Sequence, residues 1–196
     1  MGDNLQIPAT TWMPESSKRV KAKGQPSRMT CWLTAYEMLF NSGGENITQY
    51  DIENRLRNGG FNLDAAKGGG LLDDDFAKAS RILGTGGMYP GCLYTIGGVR
   101  AKLQAYGSLM VPLFVNADYR KPNERYHHVI IVLGVDEERN QLVIANPWKQ
   151  NTMDEPVIQW VNWKWFVEGL PVTESVLAGC QYYKRLPGSA RTYDER

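Results

Sequence analysis

Residues 31–40, CWLTAYEMLF, constrain the fold more than any other stretch of the chain. Read as a helix, the run is apolar almost all round and has no polar stripe. A helix of that kind is stable only when other elements bury it on every side. A chain of 196 residues can supply those elements within one domain, because at this size folding hides about 70% of the unfolded surface. Thr30 or Ser27 stands where a cap is needed, and Asn41-Ser42-Gly43-Gly44 supplies the stop.

The other helical patterns fall in the first half. Residues 47–56 form an amphipathic helix ended by Asn58-Gly59-Gly60. A loop follows at Lys67-Gly68-Gly69-Gly70, then a helix over 72–83 whose Asp73, Asp74 and Asp75 favour its positive end, then a short helix over 97–106. Residues 109–115, 128–135, 141–145 and 181–186 are short β-branched or aromatic runs between turn signals, which predicts strands. The stretch 160–168 fits either a short helix or a loop packed by its tryptophans. Helices before strands predict an α+β protein with an antiparallel sheet. The polar first 24 residues, with Pro8, Pro14 and the basic cluster Lys18, Arg19, Lys21 and Lys23, read as an extended arm (1–24) leading into one domain (25–196).

Several functions are disfavoured at this level. Lysine plus arginine (22) nearly balances aspartate plus glutamate (21), so no global charge draws the protein to nucleic acid or anionic lipid. The basic cluster then reads as a solvated face. The longest apolar stretch, 108–115, is far short of the roughly 20 residues of a membrane helix. The start Met1-Gly2-Asp3-Asn4-Leu5-Gln6 has neither a signal-peptide pattern nor a myristoylation pattern, so a cytoplasmic location is expected. Cys31, Cys92 and Cys180 are too few for a disulfide scaffold. Cys92 and Cys180 read as small buried hydrophobes, with a bridge between them the less favoured alternative. Two adjacent histidines, His127 and His128, make a metal site improbable, and no cofactor is expected.

Cys31 carries the chemistry. At the start of a helix, unpaired amides and the macrodipole favour a thiolate, and a thiolate is a competent nucleophile when a base stands nearby. The available bases are His127 and His128, at the head of a strand. Residues 128–135, the turn 136–140 and residues 141–145 read as a hairpin centred near 137. That places His128 opposite Asn146 to within one or two residues, with Cα atoms about 5 Å apart. An Asn oxygen at that distance can accept the imidazole N–H and hold one tautomer. Gln25, six residues before Cys31, can offer its amide beside the Cys31 N–H as an oxyanion hole. Strand parity does not choose between the two histidines, because the run is apolar on both faces.

Gln25 and Cys31-Trp32, then His128 with an apolar strand and Gly134, then Asn146-Pro147-Trp148, resemble in order and spacing the papain-like cysteine peptidases, over about residues 22–150. The compact size resembles the bacterial C39-like and AvrRpt2-like branches. The resemblance implies a papain-like fold: a buried N-terminal helix carrying the Cys packs on an antiparallel sheet carrying the His and Asn. It selects His128 as base and Asn146 as its orienting partner, with Trp148 screening that bond and Trp32 beside the nucleophile. It also implies that Gly69 and Gly70 pair their backbone with substrate and that Trp32 and Trp148 contribute to substrate binding. Met29-Thr30 departs from the small residues the family places just before its Cys. By the same resemblance the expected activity is a cysteine endopeptidase acting on a protein, after Gly-Gly or other small residues. An effector or toxin delivered by a secretion system into a target cell is then expected, with a cognate immunity protein covering the cleft in the producer. The alternatives are a Cys-His amidase, transglutaminase or deamidase, and a papain-like binding domain without turnover.

Overall fold

The computed structural model describes residues 8–27, 29–71, 73–88, 90–116, 125–148, 158–170 and 180–184. Helix α1 (Cys31–Ser42) is buried at all twelve positions. On one side it packs on β3 (Arg125–Asp136), whose Val129, Ile131 and Leu133 share its core. On another it packs on α2 (Gln49–Asn58), which contributes Ile52 and Leu56 and starts with a Thr48–Asp51 capping box. Helices α3 (Leu63–Gly69) and α4 (Asp73–Leu83) pack on α2 and complete this layer.

The sheet is antiparallel, in the order β1 (Gly86–Met88), β6 (Cys180–Tyr182), β2 (Leu109–Asn116), β3, β4 (Gln141–Ala145), β5 (Ile158–Asn162). A second core brings Ile130, Val132 and Ile144 together with Val99 and Leu103 of α5 (Ile96–Tyr106) and Phe166 of α6 (Trp163–Gly169). Residues 129, 131 and 133 therefore serve one core and residues 130 and 132 the other. From Val129 to Val135 strand β3 is an unbroken nonpolar run because both of its faces are covered there.

The expected α+β architecture is present, with four local differences. The expected loop at 67–70 is the last turn of α3 and its cap. Asn62 caps the start by accepting the Ala65 N–H, while Gly68 and Gly69, poor helix formers, hide the pattern. The stretch 160–168 divides, its first three residues ending β5 and the rest starting α6, with Asn162 capping by accepting the Lys164 N–H. Strand β1, of three residues, was not expected. The expected strand 181–186 is the shorter Cys180–Tyr182; residues 183 and 184 are not strand, and 185 and 186 lie outside the described residues.

Residues 8–24 run along the domain and include a 3-10 turn at Ser17–Arg19. Trp12 bridges to Val135, Ser17 Oγ lies 3.0 Å from Ser108 Oγ, and Arg19 Nε donates to the Ser42 carbonyl. Lys18, Lys21 and Lys23 contact Glu15, Asn46 and Glu37. Cys31, Cys92 and Cys180 form no disulfide with one another. Among the described residues no helix is long and apolar enough to cross a membrane.

Candidate active site

The first turn of α1 has no side-chain cap. The Thr30 hydroxyl is tied to Ser27, donating to its carbonyl at 3.0 Å and accepting its N–H at 3.2 Å. The orphan amides that every helix presents at this end are thereby left for other acceptors. The backbone N–H groups of Val129, Trp32 and Cys31 all act on the Cys31 sulfur to favour its anion. Burial acts the other way and outweighs them, so the thiol is pushed up from its ordinary pKa. The helix-start amides favour the anion as expected, but desolvation outweighs them.

Strand β4 pairs with β3 only as far as Ile131↔Ala145. Beside residues 128–130 the edge of β3 therefore lacks a ladder partner on that side, and there the Cys31 thiol comes within hydrogen-bonding reach of the Val129 backbone. Its neighbour across β2 is Pro112, which has no N–H to offer the ladder.

His128 and Asn146 meet at the same end of the sheet, with Nε2 and Oδ1 2.7 Å apart. The ladder runs Ile131↔Ala145 and Val132↔Ile144 and slips by one residue at a bulge before Gly134. Continued, it sets Asn146 opposite residue 130, two positions from His128. The side chains close that diagonal, which is within reach for long groups on neighbouring strands. The Trp148 backbone N–H, which can only donate, also points at Asn146 Oδ1, at 3.0 Å. That oxygen is thus an acceptor twice over, so Nε2 of His128 must carry the hydrogen. Nδ1 is left with its lone pair, buried and without a hydrogen-bond partner. Burial lowers the His128 pKa, opposed by the Asn146 hydrogen bond, so on balance the neutral ring is favoured. Trp148 stands edge-on to it, with centroids 5.3 Å apart. His127, by contrast, is exposed and lies edge-on to Phe114.

Gln25 is buried, its backbone N–H donating to the Pro147 carbonyl at 2.7 Å and its Nε2 to the Ser27 carbonyl at 2.8 Å. Trp32 lies within the core, against Tyr36 and Phe61, and is 1% exposed. The expectation that it contacts substrate is therefore corrected, since its ring has no free surface. Gly69 is exposed at the end of α3. Gly70 caps that helix with φ +84°, and a β-carbon placed on it would lie 3.3 Å from Met29 Cε. Met29 is thus a site-adjacent residue that the sequence marked only as a departure from a pattern. The signal was there: a long, flexible side chain two positions before Cys31. Among the described residues no cluster of His, Cys, Asp and Glu could hold a metal ion.

The family model described as papain-like cysteine protease AvrRpt2, peptidase family C70, matches residues 15–166. The chain belongs to this family. It is a papain-like cysteine protease, and the match spans every residue of the site from Gln25 to Trp148. No curated protein matches the chain.

Proposed function

We propose that this protease is an endopeptidase that cuts protein substrates through Cys31, His128 and Asn146. The observation that carries the reading is the buried, unpartnered Nδ1 of a His128 whose other nitrogen is committed to Asn146. A neutral imidazole with that lone pair is a general base beside the helix start that bears the thiol.

Burial disfavours the charge on each group. Catalysis begins when the Cys31 side chain swings from the Val129 N–H toward His128. Nδ1 takes the thiol proton and the sulfur attacks the scissile carbonyl carbon. Negative charge moves to the carbonyl oxygen, where the Cys31 N–H and the Gln25 amide stabilise it. The tetrahedral intermediate collapses, the C–N bond breaks, and the imidazolium protonates the departing amine. Water, deprotonated by His128, then hydrolyses the thioester and restores the thiol.

Cleavage after Gly-Gly or another small residue, and a role as a delivered effector or toxin with a cognate immunity protein over the cleft, complete the proposal. The resemblance to compact bacterial members supports both. The test compares new protein N-termini in bacterial lysate treated with wild type or with Cys31→Ala. Discrete cuts made only by wild type, clustered after small residues, support it. Cuts after large apolar residues would remove the small-residue preference. No cuts from a rapidly alkylating Cys31 would favour an amidase or transglutaminase, and no cuts with a sluggish thiol a binding domain.

A further inference from the structure

The two flanks of Cys31 differ in a way that bears on substrate choice. Helix α1 packs on β3 on one side and on α2 on another, and α3 packs on α2. His128, on β3, therefore belongs to the sheet side of the nucleophile, and Gly70, at the end of α3, to the helical side. Met29 links that helical flank to Cys31. It precedes the nucleophile by two residues, and its Cε reaches to 3.3 Å from where a Gly70 β-carbon would stand.

Met29 is also 38% exposed, so part of its side chain is open to a substrate. Its stem is fixed by the turn into α1: Thr30 donates its N–H to the Ser27 carbonyl, and its hydroxyl bonds Ser27 as well. Its tip lies against a residue with no side chain. Gly70 has a left-handed φ of +84°, so replacing it is strained as well as crowded.

The chemistry orients a peptide across this arrangement. The leaving amine must face His128 to receive its proton, so the portion C-terminal to the cut lies on the sheet side. The acyl portion then runs to the helical side, past Met29 and Gly70. We propose that Met29 is a specificity-determining residue: its side chain bridges from the nucleophile's turn to Gly70 and limits the size of the substrate residue immediately before the scissile bond. This deepens, and rests on, the peptidase reading. A thioether chain is flexible, so it acts as a yielding wall that penalises bulk rather than forbidding it. A mismatch of a methylene or more in such a pocket is worth about 10–200-fold in discrimination.

The test labels Cys31 rather than following turnover. Full-length wild type, Met29→Ala and Met29→Leu are treated with two peptidyl vinyl sulfones that differ only in Gly or Leu next to the warhead, and adduct formation is timed by intact mass. Wild type is expected to react with the Gly probe at least about tenfold faster. Met29→Ala should reduce that Gly:Leu ratio about tenfold, and Met29→Leu, of similar volume, should retain it. A ratio unchanged in Met29→Ala overturns the proposal, and so does a wild type that reacts equally with both probes or with neither. If labelling follows Met29 as expected but no protein is cut in lysate, the peptidase reading fails while the steric role of Met29 stands.

Discussion

The backbone amide of Gln25 donates to the carbonyl of Pro147 at 2.7 Å, tying the turn before Cys31 to the residue that follows Asn146. The proposed oxyanion donor and the proposed orienter of the base are thus joined by one main-chain hydrogen bond. Gln25→Ala keeps this bond, since it belongs to the backbone, and removes the side-chain amide together with its bond to the Ser27 carbonyl. The expected result is a fall in kcat of about 10²–10³-fold, the usual cost of one oxyanion-hole donor, with a smaller change in KM. Steady-state kinetics on a cleaved peptide measures it, and a change confined to KM would move Gln25 from transition-state stabilisation to substrate binding.

Cys31→Ala and His128→Ala should each abolish peptide cleavage while leaving the circular-dichroism spectrum intact. Asn146→Ala frees the His128 ring to change tautomer but leaves the base in place. Its loss should be less than the roughly 10²–10⁴-fold that a general base contributes. Asn146→Asp keeps an oxygen acceptor at the same point and should retain more activity than Asn146→Ala. His127→Ala should retain cleavage. An inactive His127→Ala beside an active His128→Ala would reassign the base.

Stability should fall on both sides of neutrality. The folded His128 pKa lies below the ordinary 6.5 because the ring is buried. Below that value the unfolded chain binds a proton that the folded chain refuses. Stability is therefore full above about pH 6.5 and is lost as pH falls toward the folded pKa. Burial pushes Cys31, Cys180 and Tyr36 upward, so the folded chain keeps protons that the unfolded chain releases. Their contribution is present below about pH 9 and is lost as pH rises. Tm measured across pH should be highest between roughly 7 and 8.5. A Tm unchanged from pH 5 to 7 would contradict the buried neutral state of His128.

Gly134 lies where the N-terminal segment crosses β3. A β-carbon there would stand 2.4 Å from Met13 Cγ and 2.7 Å from the Trp12 carbonyl oxygen. The side chain could move, but the backbone oxygen belongs to the Trp12–Val135 bridge, in which each residue's N–H donates to the other's carbonyl. Gly134→Ala should therefore lift that segment and cost about 1–3 kcal/mol, read as a lower urea midpoint. An unchanged midpoint would show that the bridge contributes little.

Local signals in the chain were legible where one element determined them. The twelve-residue α1 was visible because a run apolar all round admits no other stable setting. Strand β4 was visible because Asn140, with φ +55°, and its polar neighbours bound a short β-branched run. Helix α3 was hidden because its last turn contains two glycines, and its stability comes from burying Leu63 and Ala66. The start of β5 was hidden because it exists through its pairing with β4, which local propensity does not report.

For the site, the sequence by itself determined the residue types, their order and the approximate pairing of His128 with Asn146. Those depend on covalent spacing and on the symmetry of a hairpin. Only the tertiary structure decided the states of the groups: the bulge before Gly134 set the diagonal across which His128 and Asn146 meet, and two packed layers buried Cys31 deeply enough to offset its helix-end amides. It also brought Met29 against Gly70, forty-one residues apart. The physical reason is that spacing is inherited along the chain, whereas desolvation and contact are collective, set by whatever the rest of the fold places alongside.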